Sequence, residues 1–221
     1  MTIEQYIEDN GISEILHFTT ERGLTGCAGT GLVLSRKALN AEQYLSYISS
    51  PVSSERKEAQ NTFNKDEDWL DYINLSISEI NTSYFKAAKR WFIGEDRWWC
   101  IMAFDPIILT HQRVYFTTTN NIYTSVKRTL GIAGLQAMFA ETITRWKDNA
   151  VLRNGRPQRL TTCEQAEVLY PNPLDMKFLK SVYVQDQEQA ASIHGTLRSF
   201  GFHSVNVIIC PDKFLGVPNT F

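Results

Sequence analysis

The sequence is poor in cysteine. Cys27, Cys100, Cys163 and Cys210 are the only four in 221 residues, and they lie far apart. That spacing gives no disulfide framework and predicts reduced thiols. His17, His111, His194 and His203 share no metal-ligand spacing with them, so no metal is expected. No run of 18 apolar residues occurs, which argues against a membrane-spanning helix. The opening "MTIEQYIEDNG" is acidic and amphipathic, without the basic start and apolar centre of a signal peptide. A cytoplasmic protein without membrane contact is expected. Excess charge of one sign is also missing: the net charge is −2, so whole-molecule charge implies no polyanionic partner. The glycines of "GLTGCAGTGL" fit neither G-x-G-x-x-G nor the P-loop pattern, which removes both phosphate-binding fingerprints. Neither a linker nor an internal repeat is found, so residues 1–221 read as one domain with a full core.

What is present is a mixed series of short elements. Thr2 can cap a helix stopped by Gly11. Strands are predicted at Glu14–Phe18, Leu32–Ser35, Tyr72–Ile77, Trp98–Phe104, Arg113–Thr117, Ala166–Leu169, Phe178–Val184 and Ser204–Cys210. Helices are predicted at Ser53–Ala59, Ser83–Phe92 and Gln187–Gly201, with a loop or frayed helix at Gly23–Leu32. The clearest helical spacing runs over Gly134–Trp146, where Leu135, Met138, Phe139, Ile143 and Trp146 share a face. Many short strands with flanking helices in irregular order predict an α+β domain, not a βαβ array.

One stretch joins charge to structure. Arg145, Lys147, Arg153, Arg156 and Arg159 stand against one acid, Asp148, and Asn154-Gly155 and Pro157 shape a turn among them. The run ends at "TTCEQAEVLYP", where Glu164 and Glu167 bracket the start of an apolar strand. A carboxylate at a strand start is either a solvated edge charge or a rigidly held reactive group. If the strand begins at Gln165, Glu164 lies on the loop, facing solvent or substrate. His17, among apolar neighbours, is either a core histidine or a ligand-binding one. Alternation puts Thr19 on its face.

Three stretches resemble the DarT family of nucleic-acid ADP-ribosyltransferases, toxins of bacterial toxin–antitoxin pairs. They are "LHFTT" followed by "GTGL", "DYINLSI" with "YF" and then "VYFTTTNN", and "EQAEVLYP". The resemblance implies an ADP-ribosyltransferase fold with mixed central sheets around a split NAD⁺ cleft and flanking helices, NAD⁺ as co-substrate, and no metal. It makes Glu167 the catalytic carboxylate, with Arg56 in the cleft and Arg36 or Lys37 as alternatives. It places His17, Thr19, Gly31, Leu32, Ser76 and Tyr84 (or Phe85) around NAD⁺. Where thymine-modifying members resemble "YVPFYF", this chain has "YINLSI", closer to the guanine-modifying branch.

The implied reaction attaches ADP-ribose to a base of single-stranded DNA, guanine favoured over thymine. Arg153, Arg156 and Arg159 would then contact the nucleic acid, and a macrodomain antitoxin would be the partner. Transfer to messenger RNA in phage defence is the alternative. A non-catalytic nucleic-acid-binding module would need the basic loop but neither His17 nor Glu167. A cysteine hydrolase would need a base for Cys27 or Cys163, and the spacing supplies none.

Overall fold

The computed structural model describes residues 1–39, 69–90, 97–123, 125–146 and 149–219. The expected helix at Ser53–Ala59 and the candidate Arg56 lie outside the described residues. The chain opens with α1 (Ile3–Asp9), whose capping box is complete: Thr2 Oγ1 accepts from Gln5 N at 3.2 Å, and Gln5 Oε1 accepts from Thr2 N at 2.9 Å. Then come β1 (Ile15–Thr20), α2 (Glu21–Thr30), β2 (Leu32–Val33), β3 (Tyr72–Ile77), α3 (Thr82–Arg90), β4 (Trp99–Phe104), β5 (Tyr115–Thr117) and β6 (Arg128–Leu130). The second half supplies α4 (Gly131–Ala137), the β7–β8 hairpin (Thr142–Trp146 and Asn149–Leu152), β9 (Glu167–Pro171), β10 (Leu174–Asp175), β11 (Leu179–Val184), α5 (Gln187–Ser199) and β12 (Asn206–Ile209).

Eight strands form one sheet in the order β12-β11-β4-β1-β3-β9-β5-β6. All neighbours are antiparallel except β11 and β12. The class is α+β, as expected. β4 is buried at every residue, because both sheet faces are covered there. One face carries Ile15, Ile73, Leu75, Cys100, Met102, Phe104, Phe116 and Val168, packed under Leu24 of α2, Leu135 of α4 and Ile193 and Leu197 of α5. The other carries Leu16, Ile101 and Ala103, packed under Phe85 and Ala88 of α3 and under Phe214. Farther along that second face, Leu169 packs with Trp69, Tyr72 and Tyr115.

Two expectations are corrected. Gly23–Leu32 is mostly an ordered helix, α2, because Thr20 caps it (accepting from Gly23 N at 3.2 Å) and Gly31 ends it in the left-handed region, φ 73°. The proposed helix over Gly134–Trp146 is instead α4 followed by strand β7. The run Thr142-Ile143-Thr144 is β-rich, and Ile143 and Arg145 are buried while Thr142, Thr144 and Trp146 are exposed, a period of two. Pairing of Ile143 with Val151 and Thr144 with Ala150 fixes the hairpin. The helix that does form sits tightly on β6: a side chain at Gly134 would meet the Thr129 carbonyl oxygen at 2.2 Å.

Candidate active site

Strand register decides which candidates meet. β1 and β3 pair only at Ile15–Ile77 and Leu16–Ser76, whereas β1 stays paired with β4 along all six residues. From His17 onward β1 and β3 part, and the sheet splits there. The His17 ring spans the seam, with Nδ1 3.0 Å from the Asn74 carbonyl oxygen. A carbonyl can only accept, so Nδ1 carries the proton. Burial holds the ring's pKa below the ordinary histidine value, so the imidazole is neutral near pH 7 and Nε2 is an acceptor. His17, Thr19 and Leu32 line one recess, together with Gly23, Gly26, Cys27 and Thr30 of α2. Gly31 adjoins it at the helix end, where its carbonyl accepts from Met176 N at 2.9 Å.

Ser76 and Glu167 belong to the opposite face. Ser76 lies across from Leu16, and the β3–β9 ladder ends at Leu75–Val168, so one further step brings Glu167 level with Ser76. Tyr84 reaches the same side: its ring lies 5.7 Å from that of Phe18, which packs with Leu16. The seam thus has a histidine recess on one side and a glutamate on the other.

Glu167 is the first residue of β9 and only 7% exposed. Its N–H donates to Thr117 Oγ1 at 3.0 Å, and Oε2 accepts from the Asn121 N–H at 2.8 Å. Arg128 holds that Asn121 turn, donating from Nε to Oδ1 and from Nη2 to the main-chain oxygen at 2.6 Å. Its guanidinium lies 5.4 Å from the Trp69 ring. Burial lowers the pKa of Arg128, and the Glu167 charge opposes that shift. Asn121 falls within "VYFTTTNN", yet no sequence signal gave it or Arg128 a role, because their pairing depends on how the turn between β5 and β6 folds back.

Glu164 does not face solvent or substrate. It is 6% exposed, and Oε1 pairs with Arg145 Nη2 at 3.2 Å and accepts from Ser83 Oγ at 3.1 Å. Oε2 accepts from Asn219 N at 2.9 Å. Of the loop arginines, Arg153 donates to the Leu160, Pro157 and Gln158 carbonyls and to Thr162 Oγ1. Arg156 donates to the Thr161 carbonyl at 2.6 Å, to the Val217 carbonyl at 2.7 Å, and to Glu79 in a buried ion pair. Arg159 is exposed. Lys37 pairs with Asp71 at 3.1 Å on the surface.

The thiols are free, and burial pushes Cys27 up to about 12 and Cys100 higher still. A thiol so reluctant to ionise is a poor nucleophile, which removes support for a hydrolase built on Cys27. Among the described residues, no cluster of three His, Cys, Asp or Glu side chains could hold a metal, and no helix is long and apolar enough to cross a membrane.

Residues 16–215 match the family model described as "ssDNA thymidine ADP-ribosyltransferase, DarT". The fold is similar to that of Thermus sp. 2.9 DarT in complex with ADP-ribosylated ssDNA, with TM-score 0.64 and 14% identity over 92% of this chain and 96% of that one. The same Thermus protein in complex with NAD⁺ gives TM-score 0.62 and 14% identity over 91% and 97%. Thermosipho africanus DarTG in complex with ADP-ribose gives TM-score 0.63 and 14% identity over 94% of this chain. This chain spans about half of that one, 52%. No curated protein sequence matches. At such low identity the structures establish the fold, and the family follows from the sequence match across nearly the whole chain: the protein belongs to the DarT family of ADP-ribosyltransferases.

Proposed function

We propose that this chain transfers ADP-ribose from NAD⁺ to a nucleobase of single-stranded DNA, with guanine favoured over thymine. The observation that carries the transfer reading is Glu167, fixed at a strand start on the edge of a seam whose other side holds the His17 recess. The residues fit NAD⁺. His17 Nε2 can accept from a ribose hydroxyl, Thr19 offers a hydroxyl, and Gly26 of α2 lines the recess without a side chain. Ser76 and Tyr84 border the Glu167 side and suit the nicotinamide end.

NAD⁺ supplies an electrophilic sugar carbon that gains positive charge as the nicotinamide bond breaks, as in glycoside hydrolysis. Glu167 would hold the neighbouring ribose hydroxyl and tighten that grip as the charge grows. One well-placed group of this kind contributes on the order of 3 kcal/mol. The same carboxylate can take the proton from the attacking base amine. Single strands are favoured because the target base must leave its stack. Arg159 is exposed at the end of the basic loop, and Arg153 and Arg156 hold that loop in shape, so nucleic-acid contact is proposed to centre on Arg159. Arg56 remains the proposed cleft arginine.

The preference for guanine rests on "YINLSI" in β3, while the family description names thymidine. The harm such a modification does to a template supports a toxin acting in the cytoplasm, restrained by a macrodomain antitoxin. The test is to incubate the protein with NAD⁺ and short DNA and RNA oligonucleotides of defined base content. One added ADP-ribose on guanine-containing single-stranded DNA is expected. Label on thymine alone overturns the base assignment, label on RNA alone favours the messenger-RNA reading, and no label on any strand overturns transfer to nucleic acid.

A further inference from the structure

Resting on that reading, we infer that Arg128 is a positioning residue for Glu167, acting through the Asn121 turn. Three links form one chain. The Glu167 carboxylate is held by a main-chain N–H, that of Asn121, at 2.8 Å. A main-chain donor is only as well aimed as its turn. The Asn121 turn is clamped at both its side-chain oxygen and its main-chain oxygen by one guanidinium, that of Arg128. The guanidinium is itself held against Trp69, 5.4 Å from the ring. Cross-strand register places Arg128 opposite Thr117, and Thr117 opposite Glu167, so all three share a face of the sheet. Thr117 fixes the main chain of Glu167 by accepting its N–H. Arg128 completes the arrangement at the carboxylate end.

The geometry argues for this role over nucleic-acid contact. Nε and Nη2 of the guanidinium are both directed at Asn121, and its carbon lies 5.4 Å from the centre of the Trp69 ring. Its positive charge also lies near Glu167. Lysine could supply the charge but not the two-point clamp, so the two contributions are separable.

Arg128→Met should lower kcat for transfer about tenfold or more, since small misplacements of a catalytic group are costly. Affinity for NAD⁺, measured by calorimetry, should stay within about threefold. Arg128→Lys should recover part of the loss. In a Glu167→Gln background the Arg128→Met change should cost less than about twofold, because the group it positions is gone. Loss of the same size in both backgrounds overturns the inference in favour of a general structural role, and a raised oligonucleotide KM with unchanged kcat overturns it in favour of substrate contact. A readout independent of activity is hydrogen exchange at the Asn121 amide, which should quicken at least about tenfold in folded Arg128→Met as the turn loosens. Unchanged exchange there overturns the inference even if the wild type transfers nothing. An inactive wild type with quickened exchange instead supports the clamp and overturns the proposed function.

Discussion

Glu164 and Glu167 stand three residues apart and are equally buried, yet the protein surrounds them differently. Glu164 is braced from three sides. Arg145, Ser83 and the Asn219 N–H take its two oxygens, and the Asn219 side chain reaches back to the Glu164 N–H at 2.9 Å and the Thr162 carbonyl at 2.7 Å. Through it the β7–β8 hairpin, the start of α3 and the chain end are tied to the segment entering β9. Glu167 is instead aimed by a main-chain N–H, with a cation nearby, at the place where the sheet splits. Burial alone therefore does not separate the proposed catalytic carboxylate from the one held in an ion pair. The partners differ: Glu164 sits in an ion pair braced by Ser83 and the Asn219 N–H, whereas Glu167 takes a main-chain N–H from the Asn121 turn at the seam.

Exchanging the amide for the acid at each site breaks this comparison if it is mistaken. Glu167→Gln should lower kcat at least about a hundredfold, with melting temperature and NAD⁺ affinity little changed, because the group acts mainly in the transition state. Glu164→Gln should do the reverse. Removing the carboxylate charge from a buried ion pair costs about 3 kcal/mol of stability. The folded fraction should keep its turnover number. Denaturant melts and single-turnover transfer on both variants check this. A stable Glu164→Gln protein with abolished transfer would reverse the assignment of the two roles.

The two sides of the seam can be separated in the same way. His17→Ala removes the acceptor that the proposed function has the recess present to NAD⁺. One hydrogen bond of ordinary strength corresponds to about a tenfold loss of affinity. Calorimetry with NAD⁺ should show that loss in His17→Ala and almost none in Glu167→Gln. Equal affinities in the two variants would mean that the recess and the seam are not one binding site.

The sequence made the strands of this arrangement legible and left its locks hidden. The alternation in "YINLSI" and the apolar run "WWCIMAF" announce β3 and β4 because a strand's pattern is local. His17 and Thr19 were legible as a pair for the same reason, by parity. The stretch Gly134–Trp146 was misread because Leu135, Met138, Phe139, Ile143 and Trp146 satisfy a helical period, while the competing signal, Thr142-Ile143-Thr144, is short. Only the pairing with Asn149–Leu152 decides between them. Arg153 and Arg156 looked like a solvent-facing basic run. Their partners, the loop's own carbonyls and Glu79, become visible only after the loop closes on itself and the chain end crosses it. Glu164 was ambiguous for the same reason, since Asn219 lies 55 residues on.

A smaller effect separates the two buried ion pairs that the chain end covers. Glu79 accepts from the Val217 N–H at 2.7 Å and pairs with Arg156, yet burial outweighs both and pushes its pKa up to about 7, with the Glu164 charge adding to the rise. A carboxyl whose pKa is higher in the folded state than in the unfolded one binds protons more readily when folded. Its contribution is therefore full below the ordinary carboxylate value near 4.5 and is lost as pH rises toward 7. Glu79→Gln cannot titrate. Relative to Glu79→Gln, the wild type should be most stable near pH 4.5 and lose ground through pH 7, read as the difference in unfolding free energy across that range. A difference that grows with pH would show that the Arg156 pair outweighs burial after all.

The smallest effect is expected on the surface of the basic loop. Arg159 is exposed there, whereas Arg153 and Arg156 are engaged with the protein itself. Each phosphate neutralised by a bound cation releases a counterion, with a salt slope of about 0.7 per contact on a single strand. Arg159→Ala should therefore raise the oligonucleotide KM a few-fold at low salt and reduce the slope of log KM against log salt by about 0.7, with NAD⁺ affinity and melting temperature unchanged. Arg156→Ala should lower the melting temperature first, since it strands Glu79 in a buried site, and any change in oligonucleotide binding should follow the loss of fold. If instead Arg156→Ala is as stable as wild type and takes the larger share of the salt slope, the buried pair opens on binding, and the contrast between the braced Arg156 and the exposed Arg159 is lost.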